Sequence, residues 1–149
     1  MRGRKAIVVG ALFALLCCLA SAAAAAETGG TAPLPENAHV VDGHMTSAMK
    51  DGKPLDRLIA YTQESPAFYA VGTLLSAPPH TKIRFSWFFV TQNQHITDVD
   101  LNTEDHGSDI FVYSTLNNGG DPWPKGAFRV EIFVDDRTDP DQIIDFEVE

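Results

Sequence analysis

The sequence predicts an all-β protein, an antiparallel sandwich of about seven strands behind an N-terminal export signal. Three observations carry this. Short runs with apolar residues at every second position are separated by Gly, Pro, Asn and Asp clusters, a spacing that favours a sandwich or barrel over helix-connected parallel strands. No stretch shows a long helical period. Finally, Asp121-Pro122-Trp123-Pro124-Lys125-Gly126 runs straight into the alternating Phe128-Arg129-Val130-Glu131-Ile132-Phe133-Val134. Pro122 and Pro124 fix φ and lack backbone donors, so no strand runs through them. Such a corner takes a chain from one sheet to the other.

The N-terminus comes first. Arg2, Arg4 and Lys5 precede an apolar run over 6–20 and small residues over 21–26, with Ala24-Ala25-Ala26 suited to cleavage before Glu27. This is a signal-peptide pattern over 1–26. The apolar run is shorter than the ~20 residues of a membrane span. The expectation is therefore a periplasmic or secreted protein with no stable membrane span after cleavage. Leu16 before Cys17 fits lipid attachment poorly. Both cysteines fall in the removed segment, so the mature chain relies on its core rather than on disulfides. Residues 27–37 lack apolar periodicity and read as a flexible leader, leaving 38–149 as one domain.

Within that domain, 39–49 is a first strand that ends at the Asp51-Gly52 turn. Residues 55–63, bracketed by Pro54 and Pro66, leave room for a short edge strand or one helical turn. Strands follow at 67–75, 81–91, 95–101, 109–116, 128–134 and 143–148. The segment 81–91 is the clearest: Ile83, Phe85, Trp87 and Phe89 alternate with Lys82, Arg84, Ser86 and Phe88, as for a sheet with one face on a core. Trp87 is expected to fill the space between the sheets. Trp123 is expected to cap one end of the core with its indole N–H on a backbone carbonyl. The functional alternative makes Trp123 an exposed platform for a ligand.

These residues carry a resemblance. A mid-strand tryptophan, a later Trp123-Pro124-x-Gly126 corner, then Phe128-x-Val130-Glu131-Ile132 and a final Phe146-x-Val148 resemble the immunoglobulin-like domains of bacterial secreted proteins, which carry a Trp-Pro-x-Gly-x-Tyr-x-Val corner. The resemblance spans roughly 38–149. It implies an immunoglobulin-like antiparallel β-sandwich and no catalytic residues. Phe128 stands where tyrosine is usual, so the corner keeps its packing and loses the hydroxyl hydrogen bond of a tyrosine corner.

Charge bounds the partners. Signal removal takes three of eleven basic residues and none of twenty acidic ones, leaving a net charge of −12 with His neutral. That surface repels nucleic acid and anionic lipid, and it suits cationic partners or divalent metal. The acidic segment 98–109 offers Asp98, Asp100, Asp105 and Asp109 as oxygen ligands for Ca²⁺. Thr103 at the sixth position and Asp109 at the twelfth depart from an EF-hand loop, and a solvated hairpin is the plainer reading. Among the histidines, His39 and His44 are five apart, which places them on opposite faces of a regular strand. His95 and His106 could meet across a hairpin. No Gly-x-Ser-x-Gly elbow and no phosphate-binding loop are present. The expectation is a non-enzymatic binding or accessory module without a cofactor. Its partner is another extracytoplasmic protein, met through Phe88, Trp123 and Phe133. The alternative is a module that binds or is stabilised by Ca²⁺ through 98–109.

Overall fold

Alternation at period two sets the two layers of the fold. A computed structural model describes residues 38–107 and 109–149; the expected signal segment 1–26 and the expected leader 27–37 lie outside the described residues. The strands are β1 (His39–Thr46), β2 (Met49–Lys50), β3 (Lys53–Pro54), β4 (Ala60–Tyr61), β5 (Phe68–Leu75), β6 (Lys82–Phe89), β7 (Gln94–Asn102), β8 (Ile110–Leu116), β9 (Gly126–Val134) and β10 (Gln142–Val148). A single 3₁₀ turn, Val90–Gln92, links β6 to β7.

One sheet has the order β1-β5-β8 and the other β4-β10-β9-β6-β7, with β2-β3 as a separate hairpin. This is an immunoglobulin-like sandwich, the first, second and fifth of its seven long strands facing a sheet of the remaining four. All long pairings are antiparallel. The segment between Pro54 and Pro66 contains a two-residue edge strand, β4, which among the described residues is the one element paired in parallel, against the end of β10.

The inner faces are those the alternation assigns. Ile83, Phe85, Trp87 and Phe89 of β6 and Phe128, Val130, Ile132 and Val134 of β9 are buried, as are Ile144, Phe146 and Val148 of β10. They meet Phe68, Ala70 and Leu74 of β5 and Val112 and Leu116 of β8 in one cluster. Trp87 is fully buried, and its Nε1 donates to Ser114 Oγ at 3.2 Å, tying β6 to β8 across the two layers. Gly72 makes room for the Val40 side chain against β5, because a Cβ there would lie 2.5 Å from Val40 Cγ1.

A β-bulge re-phases β1. The register with β5 shifts between Val41 and His44, with Asp42 at φ 57. An extra residue exchanges the two faces downstream. Val40 and Met45 therefore both point inward despite their odd separation. The same shift corrects the expectation for the two histidines. His39 pairs with Leu75 and His44 with Val71, so both lie on the outer face of the small sheet. They remain about 13 Å apart along the strand, four residues at the usual rise.

The corner behaves as its residues require. Gly126 has φ 140, and a Cβ there would lie 2.5 Å from Thr91 Oγ1. Trp123 stacks on Phe68 at 3.9 Å between ring centroids, and its Nε1 donates to Ser65 O at 2.7 Å. Phe128 is buried and stacks on Phe146. A different tyrosine supplies a buried hydroxyl bond at this end: Tyr61 Oη donates to Thr46 O at 2.6 Å. Burial pushes the Tyr61 phenol up to about 12.

Candidate functional site

The outer face of the large sheet mixes charged, polar and apolar side chains set beside one another by the strand register, with Ile143 52% exposed. Successive pairings place Phe133 beside Arg84 and Asp100, Ile143 beside Glu131, Ser86 and Asp98, and Asp145 beside Arg129 and Phe88. Arg129 Nε donates to Asp145 at 2.7 Å. Phe133 does point away from the core, but it is only 8% exposed, with the Arg84 guanidinium 4.8 Å above its ring. It is thus corrected from an outward contact residue to a covered one. Phe88 is half-buried, edge-on to His95. Trp123 is buried in the stack described above and offers no open ring face. None of the three aromatics joins another in a shared exposed patch.

The acidic segment is likewise dispersed. Asp98 and Asp100 share one face of β7. Asp98 accepts from Ser86 Oγ at 2.6 Å and from His95 Nε2 at 2.9 Å. The Ser86 bond, then the His95 bond, hold its carboxyl below the ordinary 3.8. Asp105 sits in the following loop with its side chain fully exposed, 3.8 Å from His80 Nε2. Asp109 is at φ 66, with its N–H donating to Leu74 O at 2.8 Å. Among the described residues no group of three or more His, Cys, Asp or Glu side chains converges to hold a metal. The expected ligand set of Asp98, Asp100, Asp105 and Asp109 is therefore not gathered.

The open region of the molecule lies elsewhere. In the four-stranded sheet of a seven-strand immunoglobulin domain, one more strand lies beyond the strand that β8 represents. Here the chain instead adds β7 to the other sheet and returns directly to β8. Among the described residues β8 pairs with β5 alone, so one side of its backbone is left open. A depression of about 470 Å³ follows this edge. It is lined by Leu101, Thr103, His106, Ile110, Phe111 and Tyr113, among others. Its lining takes inward and outward residues of β8 alike, so it runs along the strand edge rather than over one face. Phe111 and Tyr113, two apart on the same outer face, are 37% and 43% exposed. A depression of similar size near Lys82, Arg84, Asp100 and Asp135 is lined by charges of both signs.

Sequence reasoning passed over Phe111 and Tyr113. The signal that could have found them is the composition of β8, Ile-Phe-Val-Tyr-Ser-Thr-Leu, which has no charge and no proline. Edge strands ordinarily carry one or the other.

No protein-family model matches the chain, and a search of curated proteins finds no significant match. Among the described residues no helix is long and apolar enough to cross a membrane.

Proposed function

We propose that this protein is an exported, non-enzymatic binding module acting in the periplasm or outside the cell. It holds another extracytoplasmic protein through the open side between β7 and β8. The observation that carries the reading is the pair Phe111 and Tyr113 on an uncharged edge strand beside the depression. Adjacent exposed aromatics on a sheet edge mark contact surfaces, and tyrosine is favoured there because it joins a large apolar body to a polar tip. Ile143, exposed on the large sheet, stands singly among Glu131, Ser86 and Asp98 and carries no such weight. The bacterial secreted immunoglobulin-like domains that the corner motif resembles fit the same reading.

The test compares two faces. A Phe111→Glu, Tyr113→Lys variant should keep its melting temperature and lose a protein partner retained from the exported fraction. The partner is identified and shown to rebind as a purified component. An Arg129→Glu variant on the large sheet should retain it. Equal retention by all three proteins would place the contact elsewhere.

A further inference from the structure

Beyond the location of the contact, the edge specifies what fits it, and this step rests on the binding reading above. We propose that β8 accepts an extended segment of a partner as an added β-strand, and that this segment alternates apolar with basic residues.

Three observations lead there. First, among the described residues β8 presents seven residues of backbone paired on one side only, at the end of the sheet where a four-stranded immunoglobulin sheet has one more strand. Backbone N–H and C=O groups at such an edge form a ready template for an incoming strand. Second, the depression along the edge has side chains from both layers. Leu101 and Ile110 pack against the core cluster and line its inner wall. Phe111 and Tyr113 stand on its outer side. An added strand sends alternate side chains to each side. The inward set meets the apolar wall, so it is apolar. The outward set lies beside two aromatic rings, where Lys or Arg lays its stem on the ring and its charge over the π face.

Third, β7, β8 and the loop between them carry acids and no Lys or Arg, with the cations Lys82 and Arg84 on the adjacent β6, opposite Asn102 and Asp100. From Phe85 to Pro124 the sequence contains no Lys or Arg, while Asp98, Asp100, Glu104, Asp105, Asp109 and Asp121 all fall within it. This stretch builds β7, β8 and the loop between them. Such a field draws a cationic segment and opposes an acidic one. It also decides against a second copy of this chain, because β8 against β8 would bring two acidic surfaces together.

The probes are a peptide as long as β8 that alternates Lys and Val, its Glu-and-Val counterpart, and two N-methylated forms of the Lys peptide. One form is methylated on the edge facing β8 and the other on the far edge. Binding is read by titration calorimetry and by amide hydrogen exchange along β8. The expected result is that the Lys peptide binds and slows exchange of the outward-pointing β8 amides. Methylation on the facing edge should weaken binding at least about tenfold, methylation on the far edge should leave it, and the Glu peptide should bind at least about tenfold more weakly. Equal binding of both methylated forms would overturn strand addition. Equal binding of the Glu peptide would overturn the charge rule. A dimer cross-linked through β8 would assign the edge to a second copy and overturn the proposal. If no peptide binds while the purified partner still needs Phe111 and Tyr113, strand addition fails and the contact reading stands.

Discussion

β7 and β8 flank the same depression and end their respective sheets, yet they treat an open edge in opposite ways. β7 carries Asp98 and Asp100 on its outer face, and its pairing with β6 is broken by a bulge between Trp87 and Phe88. Charge and a bulge are two of the devices that keep strand edges from joining other chains. β8 carries neither, and it adds two half-exposed aromatic rings. Both edges arise from one topological choice, the placement of β7 on the large sheet. The two edges thus differ in protection: β7 carries charge and a bulge, and β8, which among the described residues pairs with β5 alone, carries neither.

The largest expected effect tests whether the two edges share one frame. Trp87 lies on the strand next to β7, and its indole bonds to Ser114 of β8. Trp87→Ala removes the largest core side chain and should cost about 3–5 kcal/mol in denaturant unfolding. A cost below about 1 kcal/mol would mean the layers are not tied at this point. Next comes the corner that leads away from β8. Gly126→Ala forces a side chain into a φ of 140 and against Thr91, so a loss of about 1–3 kcal/mol is expected. An unchanged midpoint would show that the corner relaxes freely.

Smaller effects separate the edges themselves. Asp98→Thr with Asp100→Thr strips β7 of its charge and should lose only the stability that Asp98 draws from Ser86 and His95, while raising light scattering over the parent protein. Scattering equal to the parent would show that charge is not what protects β7. The pH dependence follows from Asp98, whose carboxyl is held below 3.8 by Ser86 and His95. A lowered folded value gives stability that is present above the unfolded value and is lost as pH falls through the folded one. Melting temperature should therefore drop as pH falls below about 4, and less steeply in Asp98→Asn. An identical slope in the two proteins would remove Asp98 from the acid response.

Much of this fold could be read from sequence, because its signals are local. The alternation in 81–91 and 128–134 names the inward residues, and the prolines and glycine of 121–126 name the corner. The bulge in β1 escapes a reading of the sequence although Asp42-Gly43 is an Asp-Gly pair that marks such breaks, because it sits inside an otherwise strand-like run, and it moves His44 to the same face as His39. Phe133 alternates as an outward residue should, but its cover comes from Arg84 on a strand far away in sequence. The site was hidden for the converse reason. Ile110-Phe111-Val112-Tyr113 reads as a strand apolar on both faces, the pattern of burial on both sides. Its exposure follows from a strand that takes its place in the other sheet, which no local pattern states.

The central claim is that β8, and not β7, is the edge that meets a partner. A photo-crosslinking residue at position 113 on β8, compared with one at position 98 on β7, tests it most directly. Irradiation with the purified partner should give a covalent adduct at position 113 and little or none at position 98. An adduct at position 98 with none at position 113 would contradict the account.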